Sequence, residues 1–213
     1  MKIIDVQTLE IPEIKVIRFA RFKDHRGYFT EHYRLGDFEN SERVAFMRGI
    51  RFVQCNESFS VKGTVRGLHF QWNPFMGKLV RTLHGHMIDM VLDIRKGSPT
   101  CGRIILFDMP STPDMDHQQW IWIPPGFAHG NVFAEDTTIE YLCSGQYSQG
   151  CEAGISPLAH DLDWSICEPA LKRVFDAIAP ITAFITEKDK NGLTMEQWIG
   201  DSRSQNFLYE TLR

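Results

Sequence analysis

The stretch "TVRGLHFQWNPFMGKLVRTLHGHMIDMVLDI" spans residues 64–94. Its runs "TVRGLHF", "KLVRTL" and "HMIDMVLDI" are rich in β-branched, aromatic and aliphatic residues, and "NPFMG" between the first two is turn chemistry. The same texture continues outward in both directions. Upstream stand "KIIDVQT", "IKVIRF", "GYFTEHY" and "IRFVQC"; downstream stand "GRIILFDM", "QWIWI", "GNVFA" and "TIEYLC". Turn-rich "KDHRG", "RKGSPTCG" and "PPGFAHG" separate them. Many short strands at regular spacing predict a mainly β sandwich or barrel. One interruption, "LGDFENSERVAFM" (35–47), has helical character.

The pattern changes after about residue 155. "EPALKRVFDAIA" (168–179) reads as a helix with Pro169 in its first turn, and "TMEQWIGD" (194–201) as a short helix capped by Thr194. The expectation is a β-sandwich domain over residues 1–155, with a helical and irregular appendage over 156–213 packed on it.

Bulk properties narrow the function. The chain has 213 residues, 43% of them hydrophobic and 23% charged, which favours a packed core over disorder. A net charge of −4 without a basic block argues against nucleic-acid binding. No apolar stretch approaches a membrane span, and "MKIIDVQTLEIPEIK" lacks a signal-peptide pattern. The five cysteines are odd in number and without CxxC spacing, so they read as reduced thiols of a cytoplasmic protein.

Within "TVRGLHFQ", Arg66 and His69 are costly residues for a strand interior. Strict alternation would point them to opposite faces. A bulge at Gly67 would bring them to one side, and a glycine inside a strand often marks one. Without a bulge, Arg66 is an edge residue and His69 a hydrogen-bonded core histidine. In "WIPPGFAHGN" (122–131) a rigid Pro-Pro-Gly loop holds His129 in place. In "DHRGYFTEHY" (24–33) Arg26 sits on a turn, where its planar fork could clamp a phosphate. Lys78 leads a strand whose inward face could carry it over a developing negative charge. Tyr141, flanked on its face by Ile139 and Cys143, could deliver a proton. A competing reading takes His84, His86 and His129, with Asp89 nearby, as a loose version of the ligand pattern of metal-dependent cupins. Such a site needs three or four convergent ligands.

Taken together, "DHRGYFTEHY", "FVQCNESFS", "TVRGLHFQ", "KLVRTLHGHMIDMVLDIRKGSPTCG", "WIPPGFAHGN" and "TIEYLCSGQYS" resemble the nucleotide-sugar 4-keto-6-deoxyhexose 3,5-epimerases, typified by dTDP-4-dehydrorhamnose 3,5-epimerase. The tail "ITEKDKNG" (185–192) is similar to that family's C-terminal segment. The resemblance implies a cupin-like jelly roll, a homodimer, no metal or other cofactor, and a nucleoside-diphosphate 4-keto sugar as substrate, dTDP-linked as in the family's namesake. It implies His69 as base, Tyr141 as opposing acid, and Lys78 and His129 at the enolate oxygen. Arg26 and Arg66 would hold the diphosphate, with Glu31, Gln54 and Asn56 lining the sugar or nucleotide site.

One segment departs from the pattern. The family's carboxylate that orients the base histidine is expected from "EAGISPLAHDL" (152–162), where Ala159 stands in the aspartate's place. Asp161 or Asp89 are the candidates to substitute for it. The alternatives to an epimerase are the metal-dependent cupin enzyme and a non-catalytic nucleotide-sugar binder.

Overall fold

The computed structural model describes residues 1–212. In chain order the strands begin with β1 (Ile3–Thr8), β2 (Lys15–Ala20), and a small hairpin of β3 (Phe22–Asp24) and β4 (Gly27–Phe29). Helix α1 (Leu35–Asn40) and a 3-10 turn (Glu42–Met47) follow. Then come β5 (Gln54–Ser60), β6 (Val65–Gln71), β7 (Lys78–Asp93), β8 (Ile104–Ser111), β9 (His117–Ile123), β10 (Phe127–Phe133), β11 (Thr137–Cys143) and β12 (Glu152–Gly154). The C-terminal part supplies α2 (Pro169–Ile178), α3 (Glu187–Lys190) and α4 (Met195–Gly200).

Strand β7 organises the molecule. The runs "KLVRTL" and "HMIDMVLDI" form one strand of 16 residues. Its first half pairs with β9 and β11, and its second half with β8 and β10. It passes from one sheet to the other at Gly85, whose φ of +93° and close approach to Asp136 and Thr137 exclude any side chain. One sheet therefore runs β1-β2-β9-β7-β11-β5 and the other β8-β7-β10-β6-β12, all antiparallel. The mainly β, cupin-like architecture expected from the sequence is what the chain adopts.

Three apolar layers follow from strand alternation. Val80, Met87, Val91, Ile121, Phe133 and Ile139 fill the space between the sheets. Ile17, Phe19, Leu79, Trp120 and Trp122 face outward and are covered by Phe38, Val44 and Met47 from α1 and the 3-10 turn. Val65, Leu68, Phe70, Ile88 and Leu92 face outward from the second sheet and are covered by Phe175, Met195, Trp198 and Phe207. The residues after 155 thus seal one face of the sandwich. The two helices foreseen there exist: Glu168 caps α2 through the Ala170 amide, and Thr194 and Gln197 form a capping box on α4.

Four local expectations need correction. "GYFTEHY" is strand only over β4, and the strand expected in "IRFVQC" starts later, at Gln54. His129 lies within β10, not on the Pro-Pro-Gly loop, and is 6% exposed. Ala159, in the segment expected to supply the orienting carboxylate, packs instead beside the apolar layer under the C-terminal helices.

Candidate active site

The bulge at Gly67 is present. Across the β6–β10 ladder His69 pairs with His129 and Arg66 with Asn131, so three residue steps on β6 oppose two on β10. Gly67 has φ +112°, and a Cβ there would lie 2.6 Å from the Gly130 Cα. The two glycines let the backbones touch where the strand bends. Val65, Leu68 and Phe70 consequently enter the apolar layer beneath the helices, while Arg66 and His69 line a common lobe.

That lobe belongs to a cleft between the sheets. Its main part, about 460 Å³, is lined from one sheet by Gln54, Asn56, Lys78 and Tyr141 and from the other by His69 and His129. A neighbouring lobe of about 300 Å³ shares His69, Lys78, His129 and Tyr141 and adds Arg66, Lys188 and Asp189. Cross-strand registry explains the grouping: Tyr141 pairs with Asn56, and Cys143 with both Gln54 and Lys78, so these side chains share one face.

His69 Nε2 lies 2.7 Å from Asp189 Oδ1. A carboxylate accepts, so Nε2 carries a hydrogen and, in the neutral imidazole, Nδ1 holds the lone pair; Nδ1 has no hydrogen-bond partner among the described residues. Asp189 is 5% exposed. Burial pushes its carboxyl upward, but hydrogen bonds from His69, the Gly67 amide (3.2 Å) and Thr186 outweigh that and hold it below the ordinary range. Its placement is local. Thr186 caps the turn, Ile185 anchors in the core, and Gly192 lets the chain pass within hydrogen-bonding reach of residues 154–156. The Leu193 amide donates to the Gly154 carbonyl at 2.9 Å, and Gly154 in turn pairs with His69.

The remaining polar groups are also constrained. His129 Nε2 meets Asp89 Oδ2 at 2.8 Å, and Asn131 Nδ2 donates to the same oxygen at 3.2 Å. Burial pulls the His129 pKa down, while Asp89 pulls it back up. Burial also lowers the Lys78 ammonium and raises the Tyr141 phenol, which keeps the phenol protonated at neutral pH. Gln54 Nε2 donates to Asn56 Oδ1 at 3.1 Å, fixing both amides.

The family model described as dTDP-4-dehydrorhamnose 3,5-epimerase matches residues 8–197. The chain belongs to the dTDP-4-dehydrorhamnose 3,5-epimerase family. It is 37% identical over 166 residues to the Shigella flexneri dTDP-4-dehydrorhamnose 3,5-epimerase, covering 76% of this chain and 87% of that protein. Among solved structures it is similar to the dTDP-6-deoxy-D-glucose-3,5-epimerase of Legionella pneumophila in complex with dTDP-4-keto-L-rhamnose. The TM-score is 0.74 and the identity 31%, over 90% of this chain and 93% of that one. It is also similar to a 4-keto-6-deoxy sugar epimerase from the novobiocin gene cluster of Streptomyces spheroides, with TM-score 0.77 and 27% identity over 100% of this chain and 96% of that one. The chain is thus an epimerase, an isomerase in reaction class.

Within this epimerase, the sequence-derived candidates divide into two groups. His69, Lys78, His129, Tyr141, Gln54, Asn56 and Arg66 line the joined lobes. Arg66 also donates to Ser60 Oγ at 2.9 Å and the Phe59 carbonyl at 3.2 Å. Arg26 and Glu31 do not reach the cleft within one chain. Arg26 pairs with Asp24 on the exposed β3–β4 hairpin, and Glu31 pairs with Arg34 and the Met1 amine. The three histidines of the metal reading are not brought together: His84 is exposed, His86 bonds Asp108, and His129 bonds Asp89. Among the described residues no three His, Cys, Asp or Glu side chains converge as a ligand group.

The carboxylate sought at 159 comes instead from Asp189. Neither suggested substitute serves His69: Asp161 accepts the Met195 and Glu196 amides, and Asp89 holds His129. Sequence reasoning also passed over Lys188, Glu152 and Tyr147, which form a linked set at the cleft rim. Lys188 donates to Glu152 at 3.0 Å and the Tyr147 hydroxyl to Glu152 at 3.2 Å. The available signal for Asp189 was "TEKD", a Thr-x-x-Asp capping pattern inside the tail that already matched the family.

Proposed function

We propose that this epimerase inverts C3, C5 or both in a dTDP-linked 4-keto-6-deoxyhexose. The observation that carries the reading is the opposition, across one cleft, of the Asp189-oriented His69 on β6 and the protonated Tyr141 on β11. The C4 ketone acidifies the neighbouring carbons. His69 Nδ1 takes the proton as the C–H bond breaks, and its electron pair becomes the C=C bond of an enolate with charge on O4. Lys78, assisted by His129, stabilises that oxygen. Tyr141 then donates its phenolic proton to the opposite face, the enolate pair returns to form the new C–H bond, and solvent restores both groups. No oxidant or reductant is consumed.

Arg66 holds the diphosphate, and Gln54 and Asn56 contact the sugar or nucleoside. Arg26 and Glu31 lie outside the cleft, so their contribution requires a homodimer in which one chain's hairpin reaches its partner's site. The exposed Phe22 and Phe29 on that hairpin support such a contact. The five unpaired cysteines support a reducing, cytoplasmic location. Incubating the 4-keto sugar nucleotide with the protein in heavy water tests the reaction. Deuterium at C3, C5 or both, above a protein-free control, is expected; its absence would falsify the proposal.

A further inference from the structure

The cleft is chemically two-sided about Lys78. Across the ladder toward β11 its neighbour is Cys143, and beyond that strand lie the amides of Gln54 and Asn56. Toward β9 its direct cross-strand neighbour is Ile123, and Met76 stands two residues ahead of it. Ile123 and Phe127 belong to the apolar layer between the sheets and are 2% and 4% exposed, while Met76 is half-buried at the cleft surface. Met76 leaves the backbone from a fixed point. The next residue, Gly77, donates its amide to Ser144 Oγ at 2.7 Å, and a Cβ on it would meet the Trp122 ring at 2.4 Å. The mobile, polarizable thioether therefore closes an otherwise rigid apolar corner.

The sugar is also two-sided about O4. On one flank is C3 with its hydroxyl; on the other is C5 with its C6 group. We infer that Met76, with Ile123 and Phe127 behind it, forms the subsite for the C6 methyl and selects 6-deoxy sugars over their 6-hydroxy counterparts. This rests on the epimerase reading above, in which O4 faces Lys78. The apolar corner then takes the methyl, and the amide side takes the C3 hydroxyl. A 6-hydroxyl would be desolvated there against carbon and a thioether, a weak acceptor at best. Met76 is a specificity residue in this scheme; no proton passes through it.

Calorimetric titration with dTDP, dTDP-glucose and dTDP-6-deoxyglucose tests the subsite without turnover. The wild-type protein is expected to bind dTDP-6-deoxyglucose about 10-fold more tightly than dTDP-glucose. Met76→Gln should bring that ratio close to one while leaving the dTDP affinity unchanged, and Met76→Leu should retain the preference. A wild-type ratio near one, or an unchanged ratio in Met76→Gln, overturns the subsite. If the wild-type protein binds none of the three, the epimerase reading itself fails, and this inference with it.

Discussion

Asp189 and His69 stand 120 positions apart in the chain and meet through a 2.7 Å hydrogen bond that assigns the imidazole its tautomer. The bond joins α3, the short helix between α2 and α4, to the bulged strand of the sandwich. Asp189→Asn preserves shape but can present an amide N–H to Nε2, which favours the wrong tautomer. We expect kcat to fall by about 10²–10⁴-fold with KM little changed. Adding a carboxylate at position 159 to an Asp189→Ala protein should restore nothing, because Ala159 packs away from His69. Steady-state kinetics of the two proteins checks both statements, and rescue from position 159 would contradict the assignment.

Lys78 is held at a cost to the fold. Its folded pKa lies below the ordinary lysine value, so across the interval between the two the unfolded chain binds more protons. Its contribution to stability is therefore most favourable at high pH and worsens as pH falls through that interval. Lys78→Met removes the penalty at neutral pH. The melting temperature should rise by about 2–4 °C for each kcal/mol relieved, while kcat falls by about 10²-fold or more. A lower melting temperature in the variant would show that Lys78 is a net stabiliser.

Tyr141→Phe separates the two proton transfers. The variant keeps His69 and its partner, so carbon-bound hydrogen should still exchange with heavy water on the original face. Inverted product should drop by about 10²–10⁴-fold, the range typical of losing a general acid. NMR of the recovered nucleotide sugar reads exchange and configuration together. Loss of both in parallel would place Tyr141 in binding instead.

Asp89→Asn tests the second histidine. Burial already lowers the His129 pKa and the Asp89 carboxylate counteracts it, so removing that charge should lower it further. If imidazolium at His129 supports the enolate, the alkaline limb of kcat moves to lower pH. An unmoved profile would leave His129 with a structural role.

Gly67→Ala addresses the bulge directly. The new Cβ would fall 2.6 Å from the Gly130 Cα at a φ of +112°. The expected loss is roughly 2–3 kcal/mol, or about 5–10 °C in melting temperature at this size. Differential scanning calorimetry measures it.

The sheet-forming runs and the catalytic strand were readable because period-two patterning and turn residues are local signals. "KLVRTL" and "HMIDMVLDI" could not be recognised as one strand, since Gly85 looks like a turn in sequence and is a bend in space. His129 reads as a loop residue for a similar reason: Pro124, Pro125 and Gly126 form the turn, and β10 begins immediately after them. No local pattern connects Asp189 to His69. Their connection depends on how residues 185–193 dock beside β12, a tertiary contact with no periodic signature.

The bend at Gly85 has a further consequence. Lys78 and Asp89 sit on the two arms of one strand, on either side of that bend. The backbone angle there therefore helps set, together with the apolar layer between the sheets, the aperture between the sheet carrying Lys78 and the sheet carrying Asp89. Gly85 is not among the residues lining the main cleft, yet changing that angle would widen or narrow the jaw in which the sugar ring must fit.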